Sequence, residues 1–254
     1  MRLKAFSLSD VGLIREQNED SSGFFPDQKL FIVADGMGGH AGGKEASQIA
    51  VQTIEERFLA KLGEDRSPDP EEPEVSRLMD GIFEANRRIL EHAATDQSLK
   101  GMGTTIVALV FGKRGAAIAH VGDSRAYRLR DGRVELLTAD HSLVADLVRR
   151  NELSEAEASR HPYRHVLTRA LGIAEDVTPE VARTEIRRGD LYLLCSDGVH
   201  GMISSEEFGK ILLGCAEEEP EEVCRRLIAA ANAGGGKDNA TVIAVQCACD
   251  ERLP

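Results

Sequence analysis

The chain lacks any apolar run approaching the roughly 20 residues that a transmembrane helix requires. Its first residues, MRLKAFSLSD, also lack the apolar core of about 7 to 15 residues that a secretory signal peptide needs. We therefore expect a cytoplasmic protein that has no membrane partner.

Positive charge is scarce as well. Lys and Arg number 31 against 43 Asp and Glu, which gives a formal net charge of −12. Nucleic-acid binding that does not depend on base sequence requires Lys and Arg to neutralise phosphates. The charge balance therefore argues against a nucleic-acid partner, and most of the acidic excess is expected on the solvated surface.

The cysteines are few, odd in number and scattered through apolar stretches, at positions 195, 215, 224, 247 and 249. This is not the pattern of a disulfide framework, so we expect reduced thiols in the core. Cys247 and Cys249 lie two residues apart, but no second pair or histidine cluster accompanies them to complete a zinc site. Internal repeats at a solenoid period are also absent.

Apolar residues make up 42% and charged residues 29% of the 254 positions, as in ordinary globular proteins. We predict one folded domain spanning residues 1–254. Asp131-Gly132 is typical of the two-residue turn of an antiparallel hairpin. Short runs rich in apolar and β-branched residues predict strands at 30–34, 104–111, 116–121, 126–129, 134–137, 191–195 and 241–247.

Apolar residues recur at helical spacing over 43–62 and 75–93. Ser204 followed by Glu207 is a helix-start signal, and Pro220 begins a last helix that glycines 234–236 end. The predicted order is a strand, two helices, several strands, two helices and a final strand. Because strand runs and helix runs are segregated, we predict an α+β layered fold. The polar, helix-prone segment 138–165 interrupts the strands, a placement typical of a mobile flap.

Aspartates stand at the ends of several predicted strands. In LFIVADGMGGHAGG, Asp35 follows a buried strand and precedes glycines that let the backbone turn sharply. Asp123 in AAIAHVGDSR and Asp197 in LYLLCSDG repeat this arrangement, and Asp238 in GGGKDNATVIAVQ precedes the last strand. The start of an antiparallel strand lies beside the ends of its neighbours. We therefore expect these carboxylates to converge on one rim of the sheets.

Carboxylates crowded in this way repel one another and raise each other's pKa, whereas divalent cations stabilise the same arrangement. Oxygen ligands without thiolates or a histidine cluster favour Mn²⁺ or Mg²⁺ over Zn²⁺, and no organic cofactor is expected. Two such ions can activate water for displacement at phosphorus. Arg15 in LIREQNED offers a bidentate fork for a phosphate, and Glu19 and Asp20 extend the carboxylate set.

Eight motifs in order make the chain recognisable: VGLIREQNED, VADGMGGHAGG, MGTT, HVGDSRAYRLRDG, DHSLV, LTRALG, LLCSDGV and GGGKDNATVI. Together they resemble the metal-dependent protein phosphatases of the PPM or type 2C class, in their compact bacterial form, from Gly12 to Val245. The resemblance implies an αββα sandwich, with two stacked antiparallel sheets, a helix pair on each outer face and a metal site in the cleft at one end.

The resemblance also implies the core ligands. Asp35 would bridge two Mn²⁺ or Mg²⁺ ions, and Asp197 and Asp238 would complete the first of them. Water activated by the ions would attack phosphoserine or phosphothreonine directly, without a phosphoenzyme.

Further roles are implied for residues around this core. Glu19 and the Gly36 carbonyl would serve the second ion, with Asp20 alongside. Asp123 would belong to a third, weaker ion that it shares with Asp197. Arg15 would bind the substrate phosphate.

One position departs from the pattern of many eukaryotic members, which carry a histidine two residues after the bridging aspartate. Here that residue is Met37, and His40 is the nearest titratable substitute. We hypothesise that His40 protonates the leaving group; a structural role for it is the alternative.

The partners implied are phosphoprotein substrates and a bacterial Ser/Thr kinase whose action the enzyme reverses, and we expect a monomer. Two other functions stay open at this stage. The same ions could serve a hydrolase of small phosphoesters, and the same fold could be a non-catalytic pseudophosphatase. A cysteine-based tyrosine phosphatase is excluded because no cysteine precedes a phosphate-binding loop that ends in arginine.

Overall fold

The computed structural model describes residues 2–38, 42–60, 71–216 and 218–248. Its strands are β1 (Arg2–Asp10), β2 (Ser21–Phe25), β3 (Leu30–Ala34), β4 (Gly36–Met37), β5 (Gly103–Thr104), β6 (Ile106–Phe111), β7 (Ala116–Val121), β8 (Arg125–Arg130), β9 (Arg133–Leu136), β10 (Glu180–Thr184), β11 (Leu191–Cys195) and β12 (Ala240–Ala248). Its α-helices are α1 (Gly42–Ala60), α2 (Pro73–Thr95), α3 (Leu143–Arg149), α4 (Glu155–Ala158), α5 (Asp197–His200), α6 (Ser205–Gly214) and α7 (Pro220–Ala233). A 3₁₀ turn covers Gln97–Leu99.

Ten of these strands form two antiparallel sheets. One has the order β1-β12-β11-β8-β9 and the other β10-β7-β6-β3-β2, while β4 and β5 form a separate short pair. Arg130 pairs with Arg133 across the Asp131-Gly132 turn, as the hairpin prediction requires. Both turn residues have positive φ, which is the geometry that favours Asp-Gly in two-residue hairpins.

The two sheets stack because their central strands are apolar on both faces. In β3, Phe31 and Val33 point into the layer between the sheets, whereas Leu30 and Ile32 point toward the helices. This follows from the two-residue period of a strand. Residues from both sheets, including Tyr192 of β11 and Ile243 of β12, fill the layer between them.

Each sheet is covered on its outer face by a helix pair. Helices α1 and α2 contribute Ile54 and Ile82 to the core over β3 and β6, and α6 and α7 contribute Phe208 and Leu227 to the core over β11 and β12. Where α1 meets α2, a Cβ at Gly81 would lie 3.0 Å from Ile54 Cα, so glycine lets the helices approach closely. The predicted αββα sandwich is confirmed.

Two sequence predictions need correction. The element order was wrong, because β1 and β2 precede the strand predicted first; both lie at sheet edges and carry polar residues that interrupt the apolar pattern. The strand predicted at 104–111 is divided into β5 and β6, because the Thr105 N–H donates to the Asp35 carbonyl instead of continuing a ladder.

The segment predicted as a flap, 138–165, contains α3 and α4 and returns to its own base. The Leu143 N–H donates to the Val166 carbonyl, and the Thr168 N–H donates to the His141 carbonyl, both at 2.8 Å. Ser142, the N-cap of α3, accepts from the Ala145 N–H.

The structure bears on two expectations from the sequence, the absence of a transmembrane helix and the reduced state of the cysteines. In the described part of the chain, none of the helices combines the length and hydropathy needed to cross a membrane. The cysteines at 195, 215, 224 and 247 are buried free thiols, while Cys249 lies outside the described residues.

Candidate metal centre

Asp35 lies directly after β3, and its backbone is held by two threonines. The Asp35 N–H donates to the Thr105 hydroxyl (3.0 Å), and the Thr104 hydroxyl donates to the Asp35 carbonyl (2.9 Å). The Thr105 N–H donates to the same carbonyl at 2.9 Å. Main-chain atoms therefore fix the position of Asp35, independently of its carboxylate.

Asp197 and Asp238 come from neighbouring strands that Ser196 and Thr241 join at one end. The Ser196 N–H donates to the Thr241 carbonyl (3.1 Å), and the Thr241 N–H donates to the Ser196 hydroxyl (3.0 Å). Asp197 begins α5 just after β11, and Asp238 precedes β12. Antiparallel pairing of β11 with β12 thus brings both aspartates to the same end of the sheet.

Asp20 reaches this end of the sheet from the loop before β2. Its Oδ2 accepts hydrogen bonds from the Ser196 hydroxyl (2.8 Å) and the Thr241 hydroxyl (2.6 Å). Its Oδ1 is buried, and no hydrogen-bond donor among the described residues reaches it. A buried carboxylate oxygen without a donor is costly, which marks this atom as a candidate cation ligand.

Glu19 is packed against two glycines of the opposite segment. Its N–H donates to Asn239 Oδ1 (2.8 Å), and its carbonyl accepts from the Ser47 hydroxyl (2.6 Å). A Cβ at Gly43 would overlap Glu19 Oε2, and a Cβ at Gly36 would overlap the Gly43 carbonyl. Only glycine at both positions lets the segments of Glu19, Gly36 and Gly43 pack this closely.

Asp123 lies on the loop after β7, and histidines hold the backbone of that loop. His200 Nε2 donates to the Asp123 carbonyl (3.1 Å). The Gly122 N–H donates to His141 Nδ1 (3.1 Å), and the His141 N–H donates to the Gly122 carbonyl (3.0 Å). The loop is thereby fixed between α5 and the base of the 138–165 segment.

The carboxylates are close enough to change one another's ionisation. Burial, and then the negative charges of Asp20, Asp197, Asp123 and Asp238, raise the pKa of Asp35 well above its ordinary value. Burial also raises the pKa of Asp20 and of Asp123 to about 7, and the charge of Asp197 adds to both shifts. The structure thus brings together the aspartates that the sequence placed at separate strand ends.

Two basic side chains border this acidic cluster. Arg15 Nη2 donates to Asp238 Oδ2 at 2.7 Å, and this bond raises the pKa of Arg15. His165 Nδ1, from the 138–165 segment, lies 3.9 Å from Asp197 Oδ2, and the contact raises the pKa of His165. Burial acts to raise the pKa of Asp197, but His165 and the charge of His200 outweigh it, so that this pKa is lowered.

The residues present fit divalent cations. The donor set consists of carboxylates and a backbone carbonyl, which are the hard oxygen ligands that Mg²⁺ and Mn²⁺ favour. The buried Asp20 Oδ1 and the raised pKa of three aspartates are features that a bound cation would relieve. His40 lies outside the described residues, so its predicted role stays a hypothesis.

Sequence reasoning missed the polar residues that support the cluster. Asn239 Nδ2 donates to the carbonyls of Val11 and Gln17, both at 2.9 Å, and so holds the loop that carries Arg15. Ser196 and Thr241 each hold Asp20. The only sequence feature that could have indicated them is their position, since each lies within three residues of a predicted ligand.

A second group of potential metal ligands consists of His120, His141 and Glu180. In this group the positive charge beside Glu180 comes from Arg169. Its Nη1 lies 2.8 Å from Glu180 Oε1 and 3.2 Å from His141 Nε2. His141 Nδ1 accepts from the Gly122 N–H, which leaves the proton of a neutral ring on Nε2. This group therefore acts as a structural hydrogen-bond network.

A partly buried ion pair beside the cluster leads to a stability prediction. Arg125 donates to Asp140 through Nε (2.9 Å) and Nη2 (2.7 Å), which lowers the pKa of Asp140 against the opposing effect of burial. We expect Asp140→Asn to lower the free energy of unfolding by about 2 kcal/mol, since it leaves Arg125 without its charged partner. Urea denaturation at pH 7 measures the change.

The matched control is Lys210→Gln, which breaks the exposed pair between Lys210 and Glu206. Exposed pairs contribute little, so its urea midpoint should stay that of the unmodified protein. Equal effects of the two substitutions would contradict the importance assigned to Asp140.

This sandwich, with an acidic cluster where β3, β7, β11 and β12 meet, defines the class of PPM-type phosphatases, which are phosphoric monoester hydrolases. The family model described as Protein phosphatase 2C matches residues 15–229. The chain belongs to this family. It is 38% identical over 241 residues to the serine/threonine phosphatase stp of Listeria welshimeri, across 94% of this chain and 93% of that protein.

Solved structures show the same similarity. The serine/threonine phosphatase PstP/Ppp of Mycobacterium tuberculosis superposes with a TM-score of 0.86 and 36% identity, over 98% of this chain and 100% of that one. The catalytic domain of PstP in complex with two manganese ions gives a TM-score of 0.83 and 34% identity, over 97% and 99%.

Proposed function

We propose that this phosphatase hydrolyses phosphoserine and phosphothreonine in proteins, with two Mn²⁺ or Mg²⁺ ions in the core site and a third, weaker ion beside it. The observation that carries the proposal is the convergence of aspartates from separate elements next to Arg15. The names of the relatives, and the two manganese ions of the PstP catalytic domain, support it.

Asp35 is the proposed bridge between the two core ions, with Asp197 and Asp238 on the first. Glu19 and the Gly36 carbonyl are the proposed ligands of the second. This assignment is supported by the overlap that any side chain at Gly36 or Gly43 would cause around Glu19.

The side chains around these ligands have separate roles. Asp20, held by Ser196 and Thr241, would offer its buried Oδ1 as a further oxygen ligand for the core ions. Asp123 is the proposed ligand of the third ion, shared with Asp197. When bound, the ions supply Lewis-acid activation of a water molecule for attack on phosphorus.

Arg15 is the proposed phosphate ligand. Its side chain is half exposed, and its ion pair with Asp238 places the guanidinium at the edge of the acidic cluster. A planar guanidinium matches two phosphate oxygens at once, which orients the phosphorus over the carboxylates. His40 is the proposed donor of a proton to the leaving group.

We further propose that residues 1–254 act as one catalytic domain, with 138–165 as the flap that contacts phosphoprotein substrates. Reversal of phosphorylation by a Ser/Thr kinase is the process that such an activity serves. The contact of His165 with Asp197 supports a flap that reaches the edge of the site.

The test compares a phosphothreonyl peptide with a free nucleotide, each assayed with Mn²⁺, with Mg²⁺ and with a chelator. We expect cation-dependent release of phosphate from the peptide at a kcat/KM at least about tenfold above that of the nucleotide, a difference of about 1.4 kcal/mol in transition-state binding. Preference for the nucleotide would favour a small-phosphoester hydrolase. Absence of turnover with every substrate would favour a pseudophosphatase.

A pair of substitutions links this activity to the site. Arg15→Lys retains the charge but loses the bidentate fork, so KM for the peptide should rise while kcat falls less. Arg187→Lys makes the same change at an exposed arginine on the loop before β11, at the far end of that strand from Asp197, and should leave both constants unchanged.

A further inference from the structure

The large hydrophobic side chains that the fold leaves in solvent are not evenly distributed. Among the described residues, the most exposed are Ile14 (69%), Leu13 (66%), Tyr163 (59%) and Ile173 (54%). Single exposed apolar residues are ordinary, but a contiguous set around a site indicates a binding surface. Leu13 and Ile14 precede Arg15, Tyr163 lies two residues before His165, and Ile173 packs beside Met37.

Leu13 and Ile14 are held beside Arg15 by backbone contacts. The Leu13 N–H donates to the Gly236 carbonyl at 2.7 Å. Gly12 has a φ of +80°, and a Cβ there would overlap the Asp238 carbonyl. The loop is thus fixed against the segment that carries Asp238, and its two apolar side chains still point into water.

Tyr163 and Val166 lie on either side of His165, a flap residue close to Asp197. The Val166 N–H donates to the Tyr163 carbonyl (3.1 Å), which closes a turn around His165. His165 Nδ1 is 3.9 Å from Asp197 Oδ2. Val166, 45% exposed, is anchored through its carbonyl to Leu143 at the start of α3.

Ile173 lies beside the β4–β5 pair, whose first strand directly follows Asp35. A Cβ at Gly103 would lie 3.0 Å from Ile173 Cδ1 and 3.0 Å from Met37 Cε, so the three residues are in one contact group. Met37 follows Asp35 by two residues and pairs with Gly103. The exposed apolar side chains therefore lie on three segments: one precedes Arg15, one surrounds His165, and one packs against Met37.

We infer that these five side chains, Leu13, Ile14, Tyr163, Val166 and Ile173, form an apolar rim that binds apolar residues next to the phosphorylated residue of the substrate. This inference rests on the proposed function. An extended peptide advances about 3.3–3.6 Å per residue, so a phosphate held at Arg15 brings its immediate neighbours onto Leu13 and Ile14. Apolar neighbours of the phosphorylated residue would remove this surface from water, which favours their binding.

The experiment uses two phosphothreonyl peptides that differ only at the two residues on each side of the phosphothreonine, leucine in one and serine in the other. We expect the unmodified enzyme with Mn²⁺ to favour the leucine peptide about tenfold in kcat/KM, as for one or two partly buried aliphatic side chains. The double variant Leu13→Ser with Ile14→Ser should reduce this ratio to about twofold or less.

A second double variant, Tyr163→Ser with Val166→Ser, tests the flap side of the rim independently. The matched control is Phe83→Ser with Leu213→Ser, two exposed apolar residues on α2 and α6 that lie away from the site. It should keep the full preference. Thermal unfolding of each variant establishes that it folds.

An unmodified enzyme that hydrolyses both peptides equally well would overturn the apolar rim and leave the proposed function standing. The apolar rim is likewise overturned if both rim variants keep the full preference in kcat/KM for the leucine peptide over the serine peptide. If neither peptide is hydrolysed while a nucleotide is, the proposed function fails, and the rim fails with it.

Discussion

Replacing Asp35 with asparagine is expected to lower kcat/KM for phosphopeptide hydrolysis by on the order of 10³-fold, at the upper end of losses seen when one preorganised electrostatic group is removed. Asparagine has nearly the same shape but no negative charge. The bonds that place residue 35 run from Thr104 and Thr105 to its backbone, so the substitution leaves them intact. The loss of kcat/KM then measures the role of the carboxylate charge as a ligand, because the loop that carries residue 35 keeps its position.

The measurement is steady-state kinetics over a wide range of Mn²⁺ concentration, so that weak cation binding can be compensated. Asp131→Asn is the matched control. It makes the same chemical change in the β8–β9 turn, where φ is +48° and asparagine is well tolerated. Full activity of that control with activity of Asp35→Asn within tenfold of the unmodified enzyme would contradict a bridging role for Asp35.

A stability measurement on Asp35→Asn separates the ligand role from general damage. In protein stripped of divalent cations, burial and then repulsion from neighbouring aspartates both disfavour the ionised carboxylate of Asp35. Its neutralisation should therefore stabilise the stripped protein, even as it removes activity. A substitution that merely disrupts the fold would lower both activity and stability, so a loss of activity together with a gain in stability indicates a ligand role.

The strands that the sequence predicted best are those buried on both faces. The bounds of β3, β7 and β11 were predicted as the structure has them, since β3 and β11 are uninterrupted apolar runs and β7 is interrupted only by the buried His120. Burial on both faces removes the polar alternation that blurs strand limits. The same burial made their ends easy to recognise, because Asp35 directly follows β3, and Asp123 and Asp197 are the second residues after β7 and β11.

Apart from the two-residue β4, the strands that sequence reasoning missed are β1, β2 and β10, which lie at sheet edges and mix apolar with polar residues. Their assignment depends on partners far along the chain; β1, for example, pairs with β12 along its whole length. Local patterns do not carry that information.

The carboxylates of the site were predictable, but the groups that hold them were less so. Serines and threonines near strands have many uses, and only the folded chain shows that Ser196 and Thr241 both donate to Asp20. The position of His165 near Asp197 likewise depends on how the flap packs, which follows from tertiary contacts and not from sequence spacing.

In protein from which divalent cations have been removed by a chelator, the free energy of unfolding is expected to fall as pH rises from 4 to 7. Asp20 and Asp123 have a pKa of about 7 in the folded chain, against about 3.9 in an unfolded one. Between those values the folded state binds more protons, so the free energy of unfolding falls with pH. The stability is fully present below pH 4 and lost by about pH 7, because both groups are then ionised in either state.

The size of the effect follows from the same shifts. About 3 pKa units correspond to about 4 kcal/mol for each group, and relaxation of the cluster reduces the sum. His200 opposes the trend, because burial lowers its pKa to about 4 and makes folding more favourable as pH rises through the range where an unfolded histidine deprotonates. Since that contribution is present with or without added cation, a difference measurement removes it.

The decisive quantity is therefore the rise in Tm produced by Mn²⁺, measured at pH 5 and at pH 8 against the chelated protein. Protons compete with the cation for the aspartates at pH 5, so the rise should be clearly larger at pH 8. Asp123→Asn removes one of the titrating groups and should flatten the pH dependence of the chelated protein. An equal rise at both pH values would mean that the cation does not bind through the aspartates whose pKa is raised, and the ligand set assigned to this site would have to be abandoned.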